Sequence, residues 1–466
     1  MDLVNKLWGF CNKLRHDGVD PADYIEQLTY LLFLKMAEEK QISVPIGYDW
    51  KSLISKDNDS VLRQLDTILN KLKNESGILG DIFSEPVSRV RNSHILKSLI
   101  KEIDTIKWTA YDADIVGLAF EELIGKVANE GKKGAGQYFT PRPLIQAIVE
   151  VMKPDPLESK EYKICDVAVG TAGFLVVAWE WFKNNIGTDS LTEKQKDKLQ
   201  NSTYYGQELV QRPRRLALMN MFLHDINANI KLGDTIYGTP DSNSYSCILS
   251  NPPFGTKGAN QIPDRNFYVK TSDKQLNFIQ HIIEKLKKGG RAAIVLPDSC
   301  LSSEASKKIW SYYLDKNKSK KDVCNIHTII KLPEGIFAAY ANGVRACVIF
   351  LQKGFETDKL WMYDCRKDIQ KLTTKSNPLK LDHFEEFISS YGEDPNGKSP
   401  RTKDARFIPY DLEMIKSKDF DLSFSEVFKP EPLKHPYFLI EQMIADYESK
   451  IETLKKLKSK LPIDNE

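Results

Sequence analysis

Apolar positions repeat at helical spacing through the first 130 or so residues. Tyr24, Leu28, Leu31, Leu32 and Met36 follow a 3.6-residue period, as do Ile95, Leu99 and Ile103. Asp112 is placed to cap a further helix carrying Ile115, Leu118, Ala119 and Leu123. The glycine-rich stretch 129–136 then breaks the pattern. From Gln137 to about Gly354 short apolar runs alternate with helical stretches. The runs are Tyr162–Val169, Thr203–Gln207, Ile226–Leu232, Cys247–Ser250, Arg291–Leu296, Ile326–Leu332 and Arg345–Leu351. That alternation predicts βαβ units on a mostly parallel sheet. Residues 366–430 are polar and proline-punctuated and predict no regular fold. Pro436–Leu461 reads as one helix of roughly 39 Å at 1.5 Å per residue. Its Ile440, Ile444, Tyr447, Ile451, Leu454 and Leu461 suit a coiled-coil seam, or an amphipathic face packed on its own domain. The expected division is a helical domain at 1–130, an α/β domain at 131–355, an irregular extension at 356–435 and a long helix at 436–466.

The sharpest chemical signal is the corner Asn251-Pro252-Pro253-Phe254, which follows the run Tyr245–Ser250. Two prolines fix φ and remove donors, so the chain cannot continue as strand or helix. The Asn251 side-chain carbonyl and the Pro252 carbonyl then stand as acceptors beside the Phe254 ring. Such a site suits a planar base with an exocyclic amine: two acceptors hold the amine and the ring stacks. Methylation of an amine needs little more, because the proton can leave after transfer. A proline-stiffened loop is the plain alternative.

Other turns fall where a cofactor site would need them. Asp166-Val167-Ala168-Val169-Gly170-Thr171-Ala172-Gly173-Phe174 follows the first strand of the α/β block and opens a helix. Glycines 170 and 173 allow a tight turn and close approach to a ligand at the carboxyl end of a strand. A nucleotide loop would look similar, but Gly-x-x-Gly without a following lysine argues against a nucleoside triphosphate. Glu208 ends the second strand and can accept from ribose hydroxyls, or it is a surface acid at a helix start. Asp234 ends the third and can meet a cofactor's adenine amine, or it simply caps a turn. Upstream, Thr140 is expected to cap a helix with Pro141 as its first residue, and Phe139 to lie against the cofactor.

Composition adds limits. Hydrophobic residues make up 41% of the 466 and charged residues 28%, as in ordinary globular proteins. No apolar run approaches a membrane span, and Met1–Lys6 lacks the blocks of a signal peptide. The seven scattered cysteines show no zinc spacing and read as core thiols in a reducing cytoplasm. The net charge is only +2, whereas a protein that grips DNA alone usually carries more base. Either a basic face or a partner must supply the grip. Candidate clusters are Lys126 with Lys132 and Lys133, Arg212 with Arg214 and Arg215, Lys285–Arg291, and Lys316–Lys321. Each also reads as a solvated surface.

The order of these elements, from Phe139-Thr140-Pro141 through the glycine turn and strand-end acids to Asn251-Pro252-Pro253-Phe254, resembles one family closely. It is similar to the N6-adenine DNA methyltransferase (modification) subunits of type I restriction-modification systems. The likeness extends to Leu7-Trp8, Ala119–Ile124 and Leu332–Phe337. It implies an α/β, Rossmann-like S-adenosylmethionine-dependent methyltransferase sheet, with an N-terminal all-helical domain and a C-terminal long helix. By the resemblance, Gly170, Thr171, Gly173, Glu208 and Asp234 bind S-adenosylmethionine. Asp166, Phe139 and Thr140 lie beside it. Asn251, Pro252 and Phe254 hold the target base, and Phe337 offers a second aromatic face. No metal is required. Expected partners are double-stranded DNA, a specificity subunit reached through the C-terminal helix, a second copy of this chain and a restriction subunit. Val167, Val169 and Ala172 stand where the family commonly has proline, cysteine and glycine, and the methyl of Ala172 is expected to crowd the cofactor. An N4-cytosine methyltransferase and a catalytically weak scaffold subunit are the alternatives. A C5-cytosine enzyme would need a nucleophilic cysteine in the corner, and Cys247 lies inside the preceding strand.

Overall fold

Helices build the first third of the computed structural model because their apolar stripes meet one another. The structure describes residues 3–111, 113–130, 140–238, 244–254, 261–319, 321–337, 343–366, 369, 372–373, 377–424 and nine positions between 437 and 455. The first seven helices are α1 (Leu3–His16), α2 (Pro21–Glu39), α3 (Trp50–Ile54), α4 (Val61–Leu72), α5 (Gly77–Ile82), α6 (Ser93–Asp104) and α7 (Ala113–Glu130). The expected α2 and α6 faces are turned inward: Tyr24, Leu28, Leu31, Leu99 and Ile103 are almost fully enclosed, while Ile95 is partly buried. The cap expected of Asp112 lies outside the described residues. On α7 the inward stripe is Val116, Ala119, Phe120 and Leu123, while Ile115 and Leu118 are exposed. The expected face was therefore rotated by about one residue.

The α/β block follows as α8 (Arg142–Met152), β1 (Ile164–Asp166), α9 (Gly173–Asn185), α10 (Glu193–Asn201), β2 (Tyr204–Glu208), α11 (Gln211–Leu223), β3 (Asn229–Leu232) and β4 (Tyr245–Ser250). It continues through α12 (Lys274–Lys285), β5 (Leu286–Pro297), α13 (Glu304–Tyr313), β6 (Cys324–Lys331) and β7 (Ala346–Lys353). All seven runs predicted as strands form strands. They join one sheet of order β3-β2-β1-β4-β5-β7-β6, extended by β8 (Lys359–Asp364) and β9 (Phe407–Asp411). The first five pair in parallel, and β7 runs antiparallel between β5 and β6. Predominantly apolar β4 and β7 are buried along their whole length, as parallel or central strands covered on both faces must be.

The stretch expected to be irregular is instead part of the fold. It supplies β8, β9, α14 (Glu385–Tyr391) and α15 (Leu412–Ser417). Tyr363 packs edge-on against both Phe387 and Phe407. The edge strand β9 was hidden because it carries a proline and is only half covered. Met1–Leu422 is one compact unit and Ser423–Glu466 another. In the second, the described positions 437, 440, 444, 447, 448, 451, 452, 454 and 455 are helical. Its Ile440, Ile444, Ile451 and Leu454 are each at least half exposed.

The helical domain is fixed to the sheet by α11. Buried Arg215 pairs with Glu26 of α2 and donates to the Ile82 carbonyl at 2.6 Å. Arg214 pairs with Asp81 at 2.6 Å and donates to the Ile230 carbonyl at 2.8 Å. Of the arginine cluster expected as a DNA grip or a solvated face, Arg214 and Arg215 are thus internal, and partly exposed Arg212 pairs with Asp23 at 3.0 Å. Arg291 likewise turns inward, to Glu158 and Tyr162.

Candidate active site

The strand order reverses at β1, which has β2 on one side and β4 on the other. Chains leaving β1 and β4 on this side diverge, and a crevice forms where open α/β sheets bind ligands. Here it is a cavity of about 1350 Å³. Thr140, Asp166, Gly170, Thr171, Gly173, Glu208, Asp234, Asn251 and Phe254 all line it. Phe139 lies outside the described residues.

The glycine turn is held by its neighbours. The Val169 amide bonds the Gln207 carbonyl at 3.0 Å, folding the turn over β2. A Cβ on Gly206 would sit 2.9 Å from a Val169 methyl, so the strand beneath needs glycine there. Gly170 adopts φ 54° and Ala172 φ 68°. The left-handed backbone at 172 explains why glycine suits that position. The alanine methyl is fully buried in the core and does not line the cavity. The expected crowding of a cofactor does not arise; the cost of alanine is backbone strain.

Glu208 is 7% exposed. Its two oxygens accept from the Gly170 and Val210 amides, each at 3.0 Å. A carboxylate has about four acceptor positions, so capacity remains toward the cavity. Asp234 Oδ1 accepts from the amides of Ile236 and Tyr237 at 2.8 Å. One oxygen therefore makes the turn, and Oδ2 has no partner among the described residues. Asp166 accepts from Ser250 Oγ at 2.6 Å and from the Ala168 amide at 3.0 Å. Burial pushes its carboxyl up to about 7, opposed by those two hydrogen bonds and reinforced by Glu208. Burial likewise raises Glu208, against the amides that hold it.

At the corner, the Gln275 amide donates to the Pro253 carbonyl at 2.8 Å and pins the turn. Asn251 Nδ2 donates to Thr140 Oγ1 at 3.0 Å. Asn251 Oδ1 is buried and has no hydrogen-bond partner among the described residues. Thr140 therefore does not cap α8 as expected: the helix begins at Arg142, with Pro141 at the cap position and no side-chain bond. Pro252 is buried and does not line the cavity. Phe337 is 1% exposed and also stays off the wall. It packs edge-on behind Phe254, centroids 5.3 Å apart at 82°. It supports the Phe254 ring rather than offering the second face expected of it.

Sequence reasoning missed a further wall. Leu118, Glu121, Glu122 and Lys126 of α7 reach the same cavity from the helical domain. Glu121 pairs with Arg142, and Asn220 Nδ2 donates to both Glu121 and the Thr171 carbonyl. No local signal places these residues on the cavity, because the elements they face lie far away in the chain.

Cys247 is fully buried in β4, and burial pushes its thiol up to about 12. A thiolate nucleophile is excluded there. A family model for N-6 DNA methylases matches residues 111–435. The chain belongs to the N-6 DNA methylase family. A model of the HsdM N-terminal domain matches residues 3–43 of this methylase. It is 39% identical over 428 residues to the StySPI type I restriction enzyme methylase subunit of Salmonella potsdam, covering 86% of this chain and 78% of that one. Against the EcoKI methylase subunit of Escherichia coli the identity is 38%, with the same coverage. The crystal structure of the EcoKI M protein aligns over 99% of this chain and 96% of its own, at 31% identity and a TM-score of 0.56. A chain from a solved type I restriction-modification assembly aligns over 100% and 99%, at 25% identity and a TM-score of 0.75. The methylase is an adenine-specific, S-adenosylmethionine-dependent DNA methyltransferase subunit, and the N4-cytosine alternative falls.

Proposed function

We propose that Asn251 holds the amine of an adenine flipped out of double-stranded DNA, with Phe254 stacked on its ring. One observation carries this reading. Asn251 Oδ1 is buried and unpaired on the wall of the cavity that also holds the glycine turn and Glu208. A buried acceptor without a donor costs about 1–3 kcal/mol, and a bound amine removes that cost. Flipping the base costs a few kcal/mol, and stacking on Phe254 returns about 1–3 kcal/mol.

The residues present fit S-adenosylmethionine. Glu208 suits the ribose hydroxyls, Asp234 Oδ2 the adenine amine, and the amides at the start of α9 the carboxylate. When bound, it supplies an electrophilic methyl on a sulfonium. The chain's own work is positioning. Asn251 Oδ1 accepts from one amine hydrogen and so helps turn the nitrogen lone pair toward the methyl. Phe337 holds Phe254 upright. The proton leaves after transfer, so no strong base is needed.

A specificity subunit is the partner for the C-terminal helix. Its described apolar positions are exposed, and a net charge of +2 leaves much of the DNA grip to another chain. Two measurements test these readings. DNA modified by the assembled enzyme should contain N6-methyladenine by mass spectrometry, and N4-methylcytosine in its place would overturn the base assignment. Deleting residues 436–466 should abolish co-purification with the partner and spare cofactor binding; normal assembly of the truncated chain rules out the docking role.

A further inference from the structure

We infer that Thr140 is a positioning residue for methyl transfer, acting through Asn251. A threonine just before a helix would ordinarily cap it. Here α8 starts without a side-chain cap. The Thr140 side chain makes a single hydrogen bond among the described residues, to Asn251 Nδ2 at 3.0 Å. The two residues lie 111 positions apart, on different elements, and meet on the wall of one cavity.

The amide of Asn251 has two ends, and only one serves an amine. Oδ1 must face the cavity to accept from it. The NH₂ end then points into the protein, where a buried donor needs an acceptor. Thr140 Oγ1 is that acceptor, and with it in place Oδ1 is the end left unpaired. Without the hydroxyl, the orientation that serves the reaction leaves Nδ2 unpaired, and the amide turns over. A donor would then meet the donors of the target amine.

Thr140 itself is anchored. The next residue but one, Arg142, is held between Glu121 of α7 and Glu180 of α9, bonding the latter at 2.6 Å. The segment carrying the hydroxyl is thus fixed from both the helical domain and the sheet domain.

This inference rests on the base-site reading above, and the experiment separates the two. In the full chain assembled with its partner, Thr140→Val keeps the shape and removes the acceptor. The kcat for transfer of labelled methyl to unmodified DNA should fall about tenfold to a hundredfold. The dissociation constant for S-adenosylmethionine by calorimetry should stay within about twofold, and the melting temperature should hold. Thr140→Ser should restore the rate. In an Asn251→Ala background, Thr140→Val should cost nothing further, because the two act as one unit. Weaker cofactor binding at unchanged kcat would overturn the inference in favour of a direct cofactor contact. A serine variant as slow as the valine one, or additive losses in the double variant, would also overturn it. A fully active Asn251→Ala would instead overturn the base-site reading, and this inference with it.

Discussion

Replacing Asn251 by alanine should separate chemistry from folding, and the structure sets the sign of both effects. The side chain has one satisfied end and one unsatisfied end. Removing Oδ1 releases about 1–3 kcal/mol of desolvation cost in the ligand-free chain. Removing Nδ2 forfeits a hydrogen bond worth about 0.5–1.5 kcal/mol, and half-buried Thr140 can turn to water instead. Truncation enlarges a wide cavity of about 1350 Å³ rather than opening a sealed void, so the cavity penalty of a core substitution does not apply. Stability should therefore stay within about 1 kcal/mol of the parent chain, tilted toward greater stability. Transfer should fall tenfold to a thousandfold, roughly 1.4–4 kcal/mol of transition-state stabilisation. The assay pairs urea unfolding of the full chain with initial rates of methyl transfer in the assembly. A loss of more than about 2 kcal/mol in stability would mark Asn251 as a structural residue. An unchanged rate would remove it from the chemistry.

Three further outcomes follow from the same geometry. Glu208→Ala should weaken S-adenosylmethionine binding about tenfold to a hundredfold by calorimetry, as expected for lost bonds to a charged acceptor; unchanged affinity in a folded variant rejects the ribose role. Asp166 has a folded-state carboxyl near 7, above its ordinary 3.8, so its stabilising proton is fully present below about pH 4 and is lost as pH rises through 7. Asp166→Asn should accordingly gain stability over the parent between pH 5 and pH 8, on the order of 2–4 kcal/mol, and a difference that does not change with pH would refute the assignment. Arg215→Met strands buried Glu26 and several carbonyls, and should cost about 3–5 kcal/mol in chemical unfolding; a loss under about 1 kcal/mol would show the pair to be incidental.

What was legible in the sequence follows from how local each signal is. The seven central strands were readable because each is a short apolar run bounded by turn residues. The cavity's glycine turn, Glu208 and Asp234 were readable because strand ends and turns are local events. Asn251 was readable for the same reason: two prolines announce the corner. Thr140 was placed at the right site with the wrong bond, since its partner lies on another element. Phe337 was close to its mark, but only packing shows that it stands behind Phe254. Arg214 and Arg215 were misjudged because charge in a sequence says nothing of burial. Their partners, Glu26 and Asp81, lie more than a hundred residues away. The edge strand β9 escaped because it is half covered and carries a proline, and β8 because it borders a polar, proline-punctuated region.

The arginine pair on α11 also limits how such chains can recombine. A crossover near residue 130 looks harmless on paper, falling in a glycine-rich stretch between two regions of different pattern. Yet the front helices contribute Glu26, Asp81 and the carbonyls of Ile82 and Ser84 to side chains rooted in the back half. They also contribute Glu121 to the cavity wall. A hybrid joining the front of one relative to the back of another inherits buried cations without their anions unless all of these travel together. The unit of exchange is therefore the whole of Met1–Leu422, and laboratory shuffling at the visible seam should yield mostly insoluble chains.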